Sequence, residues 1–177
     1  MRSSIVKAVA TKINAISSDM EKILAANHHD PFEVLGCHIK NEKWVLRLFK
    51  SRVKKAYVIL NEKRLQMKRR PKTDMFELDL NQYYQAQEYI YETLDDDDRV
   101  LQFHDPYNFP PLLKSEDAYL YNSGEHFYAY RFMGARAYSQ NDIHGVLFIV
   151  WAPNASRVSV VGGFNYWDGR NHPMRSN

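Results

Sequence analysis

Phe164-Asn165-Tyr166-Trp167-Asp168-Gly169 sets three aromatic rings among small polar residues. Flat rings can cover the apolar face of a sugar while amides and carboxylates meet its hydroxyls, so this run has the chemistry of a carbohydrate contact. Other groupings invite different chemistry and fall short of it. His28, His29, Cys37 and His38 are metal-ligating types, but their spacing matches no zinc pattern and they include one cysteine, which favours turn, capping and core roles. Asp95 to Asp98 could attract calcium. Adjacent side chains of an extended run point to alternate sides and no EF-hand pattern is present, so a solvated turn is the better reading. Glycoside chemistry with retention needs a carboxylate pair about 5–5.5 Å apart, and no motif fixes one. Gly124, Gly134 and Gly145 are too far apart for a phosphate loop, and Ser115, Ser123 and Ser156 lack a nucleophile-elbow glycine pattern. The sequence therefore nominates no catalytic residue, no cofactor and no metal ligand.

The elements that position the aromatic run are short strands. Val146 to Trp151 is apolar and β-branched, Pro153-Asn154 interrupts it, and Val158 to Val161 follows before Gly162-Gly163, which predicts two strands and a turn. Earlier in the chain, Trp44 to Phe49, Ala56 to Leu60, Met75 to Leu80, Glu88 to Thr93 and Arg99 to Phe103 have the same character, with turns expected at Asn61-Glu62 and Asp95 to Asp98. Together they predict a small antiparallel sandwich. Ahead of it, Ile5, Val6, Val9, Ile13, Ile16, Met20, Ile23 and Leu24 recur at helical spacing and predict an amphipathic helix docked on its own protein, ended by Pro31. Its polar side is mixed in charge, which argues against a membrane-surface helix. Pro106, Pro110 and Pro111 mark a stiff connector, and Ser115-Glu116-Asp117 predicts a short helix ending near Gly124, followed by an aromatic run from His126 to Met133. The predicted organisation is an N-terminal helix over 1–26, a first module over 27–105, a connector over 106–144 and the start of a second module over 145–177.

Charge is segregated along the first module. Ten basic residues lie between Lys50 and Lys72 against Glu62 alone, and nine acidic residues with no Lys or Arg lie between Thr73 and Asp98. A sheet folding back on itself would pair them. A basic face for nucleic acid is the competing reading, but the pI of 8.9 lies below the usual range for such domains and no binding motif is present. No apolar run approaches the ~20 residues of a membrane span, and charges scattered through the first 25 residues leave no signal-peptide core. Cys37 reads as a small buried hydrophobe in a reducing compartment, and the expected location is cytoplasmic.

Val150-Trp151-Ala152-Pro153-Asn154-Ala155-Ser156-Arg157-Val158-Ser159-Val160-Val161-Gly162, with Phe164-Asn165-Tyr166-Trp167-Asp168-Gly169-Arg170-Asn171-His172-Pro173-Met174-Arg175, resembles the opening of the carbohydrate-binding, immunoglobulin-like module of 1,4-α-glucan (glycogen) branching enzymes and isoamylase-type proteins. His29-Asp30-Pro31-Phe32 with Val34-Leu35-Gly36, and Asp105-Pro106-Tyr107 with Phe109-Pro110, resemble the two ends of the additional N-terminal module of long bacterial branching enzymes. Family members often have Gly-Asp-Phe-Asn where this chain has Gly162-Gly163-Phe164-Asn165. The resemblance implies a mainly β fold: an immunoglobulin-like β-sandwich with an N-terminal helix, a linker, and the first strands of a second immunoglobulin-like module. It implies Trp167 either stacking on glucose, with Asn165 as a hydroxyl partner and Tyr166 beside them, or packing against the family's catalytic barrel, and α-1,4-glucan or glycogen as the ligand. Trp151 and Phe164 are expected in the core. The implied parent reaction, transfer of an α-1,4-glucan chain to an α-1,6 linkage, belongs to a (β/α)8 barrel of about 250 residues, which a chain of 177 residues cannot contain. The chain is thus expected to be a front portion ending inside its second module, with the barrel as an intramolecular partner and no catalysis of its own. A stand-alone glucan-binding or interaction module is the alternative.

Overall fold

Three of the hairpins turn on two residues each. Asn41-Glu42, Asn61-Glu62 and Asn141-Asp142 all place both central residues at positive φ, between 48° and 64°. That is the geometry whose twist matches antiparallel strands, and asparagine and aspartate tolerate it better than most residues. The computed structural model describes residues 17–176. Helix positions Ile5 to Ile16 lie outside them.

The first module is a sandwich of two four-stranded antiparallel sheets. One has the order β1 (Gly36–Lys40), β2 (Lys43–Phe49), β6 (Met75–Leu80), β5 (Lys68–Arg69). The other runs β4 (Lys63–Gln66), β3 (Val53–Leu60), β7 (Tyr89–Asp95), β8 (Val100–Phe103). Alternation decides which side chains meet between them. Leu46 faces Leu78 and Leu48 faces Phe76 across one sheet, while Ala56, Val58 and Leu60 face Thr93, Tyr91 and Tyr89 across the other. These inner positions form the main core.

The opposite face of β2 is also covered. Phe49 and Met75, paired across β2 and β6, pack with Met20 and Ile23 of α1 (Ser18–Leu24) and with Val34, Leu35 and Tyr107. The Ser17 hydroxyl caps α1 by accepting from the Met20 amide at 3.3 Å. The described part of the N-terminal helix therefore docks on its own protein.

The segregated charges pair as expected. Arg64 meets Glu92 at 2.7 Å, Arg69 meets Asp74 at 2.6 Å, Arg70 meets Glu77 at 2.5 Å and Lys54 meets Asp98 at 3.0 Å. Glu77 also accepts from Arg47 at 3.0 Å. These pairings engage Lys54, Arg64, Arg69 and Arg70 of the basic stretch.

Asp105 closes the module. Its side chain is fully buried, and its carboxylate accepts from the Tyr89 hydroxyl at 2.6 Å, the Tyr91 hydroxyl at 3.1 Å and the Tyr107 amide at 2.9 Å. Burial raises its pKa to about 6, against the pull of these donors. A carboxyl group raised on folding contributes stability that is complete below its unfolded pKa near 4 and is lost as pH rises through 6. Asp105→Asn is expected to remove that decline between pH 4 and 6, as read by urea unfolding at stepped pH.

Beyond the module, α2 (Ser115–Asn122) begins at Ser115 itself, with Lys114 in the capping position. β9 (Gly134–Gln140) then pairs in register with β10 (Ile143–Ile149), so a strand lies within the stretch read as connector.

Candidate carbohydrate-binding turn

After β10 the chain returns along a short pairing. The Val160 amide donates to the His172 carbonyl and the Met174 amide to the Val158 carbonyl, each at 2.9 Å, around a single bridge between Ser159 and Pro173. The strand expected over Val158 to Val161 is reduced to this bridge. Pro173 supplies no N–H and Gly162-Gly163 ends the run, so no longer ladder forms.

The turn that follows is organised by Asn165, which is 1% exposed. Its Oδ1 accepts from the Gly162 amide at 2.9 Å, and its Nδ2 donates to the Val160 carbonyl at 2.8 Å and to His172 Nδ1 at 2.9 Å. The Trp167 amide donates back to the Gly162 carbonyl at 3.0 Å. Tyr166 and Trp167 are consequently both left-handed, at φ 56° and 59°. Such a conformation costs an aromatic residue about 1–3 kcal/mol and persists only where the surroundings over-determine it. Gly162 leaves room for the Phe164 ring, which a Cβ there would approach to 2.6 Å. That ring meets His172 edge-on, with centroids 5.4 Å apart.

Asp168 and Arg170 lock the far side of the turn. The Arg170 guanidinium donates to both carboxylate oxygens of Asp168, at 2.9 and 2.8 Å, and this pairing lowers the Asp168 pKa to about 2. His172 is shifted by burial, with the Lys50 charge adding to it, down to about 4. Its neutral Nδ1 accepts the Asn165 amide, so protonation would remove that bond. A histidine lowered on folding contributes stability that is present above 6.5 and is lost as pH falls through 4. His172→Gln is expected to flatten that loss; because Asp105 acts in the opposite direction over part of the range, the comparison is made in the Asp105→Asn background.

The turn is seated on the first module. The Arg52 guanidinium lies over the Tyr166 ring, 4.5 Å from its centroid, and Arg99 donates to the Tyr166 hydroxyl at 3.3 Å. Asn171 accepts from the Ser51 amide at 3.1 Å and donates to the Ser51 hydroxyl at 2.9 Å. Arg170 lies over Phe49 at 5.2 Å. The outward rings are Trp167, 72% exposed, Phe164 at 65% and Tyr166 at 49%.

The three sequence-nominated residues thus share one turn, two with outward rings and Asn165 with its amide turned inward. Trp151 and Phe164, expected in the core, are instead 51% and 65% exposed. Trp151 follows the end of β10 and meets Tyr121 of α2 only edge-on, at 5.3 Å, while Phe164 rests one edge on His172. The histidines and cysteine are dispersed: His38 bonds to the Leu35 carbonyl, and Cys37 is buried with a raised pKa caused by desolvation. Asp95 organises its own turn, accepting from the Asp97 and Arg99 amides at 2.9 Å each. Among the described residues no cluster of three or more His, Cys, Asp or Glu could hold a metal ion, and no helix is long and apolar enough to cross a membrane. Arg52, Arg99 and Ser51 carry no sequence signal for a part in the turn, since their partners lie tens of positions away.

A β-sandwich followed by a hairpin that leads into an outward aromatic turn defines a mainly β protein built of antiparallel sheets. Residues 16–107 match the family model described as alpha-1,4-glucan branching enzyme GlgB, N-terminal domain, and residues 124–177 match carbohydrate-binding module 48 (isoamylase N-terminal domain). The chain belongs to the GlgB branching-enzyme family through its N-terminal domain. It is 41% identical over 160 residues to the 1,4-alpha-glucan branching enzyme GlgB of Methylococcus capsulatus, covering 90% of this chain and 21% of the relative. The GlgB proteins of Cellvibrio japonicus and Paramagnetospirillum magneticum are 40% and 38% identical, again over 90% of this chain and 23% and 21% of their own length. The chain spans about a fifth of the curated relatives it matches.

Proposed function

We propose that this chain is the non-catalytic glucan-gripping front region of a 1,4-α-glucan branching enzyme of glycogen biosynthesis. Trp167 stacks on a glucose face, Tyr166 extends that surface, and Asn165 serves it from beneath by fixing the turn. The observation that carries this reading is an indole 72% exposed on a turn whose backbone is bonded on all sides. A large ring held outward at such conformational cost supports a contact surface. Transfer of a chain from an α-1,4 to an α-1,6 linkage is assigned to a barrel that these 177 residues do not contain. The first module then influences how the donor chain is gripped and what length is transferred, and the cytoplasmic location fits the same reading. A stand-alone glucan-binding module makes the same contact without the barrel.

Affinity electrophoresis through glycogen-containing gels tests the contact. The chain is expected to be retarded and Trp167→Ala to run freely; equal retardation of both would reject Trp167 as the contact.

A further inference from the structure

We infer that the first module positions the sugar-contacting turn through Arg52 and Arg99, so that glucan affinity at Trp167 depends on two side chains that need not touch the sugar. This rests on the reading of Trp167 as the glucan contact. Two strained turns interlock here. Arg52 is itself left-handed, at φ 59°, in the tight turn between β2 and β3, and its guanidinium covers one face of the left-handed Tyr166. Arg99 reaches the Tyr166 hydroxyl from the turn between β7 and β8, where Asp95 at 3.0 Å and Asp97 at 2.5 Å hold its guanidinium. Asp95 and Asp97 of the acidic run thereby gain a role, aiming Arg99. Alongside, the Asn171 amide bonds Ser51 through both its oxygen and its nitrogen, so the base of the turn is fastened at a second point.

Trp167 follows Tyr166 directly, so its outward direction is inherited from the geometry these contacts impose. The Asn165 bonds fix the inner side of the turn but do not reach the Tyr166 ring. Without the two arginines, left-handed Tyr166 loses the contacts that offset its strain, and the binding-competent turn becomes one conformer among several. Apparent affinity falls in proportion to the competent fraction.

The test is calorimetric titration of the chain with maltoheptaose, paired with ¹⁹F NMR of 5-fluorotryptophan-labelled protein. Arg52→Ala/Arg99→Ala is expected to raise Kd about tenfold and to shift or broaden the Trp167 resonance. The Trp44 resonance, reporting on the first module's core, should hold its position. Arg52→Lys/Arg99→Lys, which keeps a cation at each position, should recover part of the affinity. An unchanged Kd with an unmoved Trp167 resonance would overturn the inference. So would a weakened Kd with an unmoved resonance, since the arginines would then touch the sugar themselves. If the unmutated chain fails to bind maltoheptaose, the glucan reading of Trp167 fails; the resonance still decides the positioning, a shift supporting it and no shift rejecting it.

Discussion

Glu77→Ala is expected to destabilise the first module by about 3–5 kcal/mol, the range for removing one member of a buried ion pair. Glu77 sits on the outer face of the first sheet opposite Arg47, and both side chains are nearly buried. Its carboxylate takes Arg47 on one oxygen and Arg70 on the other. Burial alone would raise its pKa, but the two guanidiniums outweigh burial and lower it. Arg47 also donates to the Val34 carbonyl at 3.2 Å, so the network ties the sheet to the segment after α1. Alanine leaves two cations facing each other in a half-dry site. The expected readout is a melting temperature lower by at least about 10 °C for a module of this size. Glu77→Gln, which keeps one acceptor, should fall between. A loss below about 1 kcal/mol would place the pair among surface ion pairs.

Trp167→Ala is expected to weaken maltoheptaose binding at least about thirtyfold, equivalent to the 2 kcal/mol of an interface hot spot. The ring is the largest outward aromatic of the turn, and its backbone is fixed before any ligand arrives, so little ordering cost offsets the stacking. Trp151→Ala is the matched control. That ring is half-exposed but meets Tyr121 on one edge and lies away from the turn, so its removal should change affinity less than about threefold. Equal losses in the two variants would mean that the glucan does not select the turn.

The sequence made the inner strands legible because they are apolar, β-branched or aromatic runs bounded by turn residues. Leu46 and Leu48, Ala56 and Val58, and Tyr89 and Tyr91 each point inward two residues apart. β1, β4 and β5 were not legible, and all three are sheet edges. β4 (Lys-Arg-Leu-Gln) and β5 (Lys-Arg) carry the basic residues that protect an exposed edge from further pairing, which erases the apolar period of a strand. The pairing of the basic and acidic stretches was legible for the opposite reason, since it follows from their order along a chain that folds back. At the turn, residue type nominated Asn165, Tyr166 and Trp167. The inward Asn165 amide and the outward Phe164 did not follow from type, because bonds to Gly162, Val160 and His172 set those directions. The seat on Ser51, Arg52 and Arg99 depends on contacts across the two modules, with 120 positions separating Ser51 from Asn171. No local pattern encodes it.

The most direct test of the account is calorimetry of the unaltered chain with maltoheptaose at low and at high salt. Stacking and neutral hydroxyl contacts predict binding whose Kd is unchanged by salt. Absence of binding, or affinity that collapses as salt rises in the manner of phosphate recognition, would contradict it.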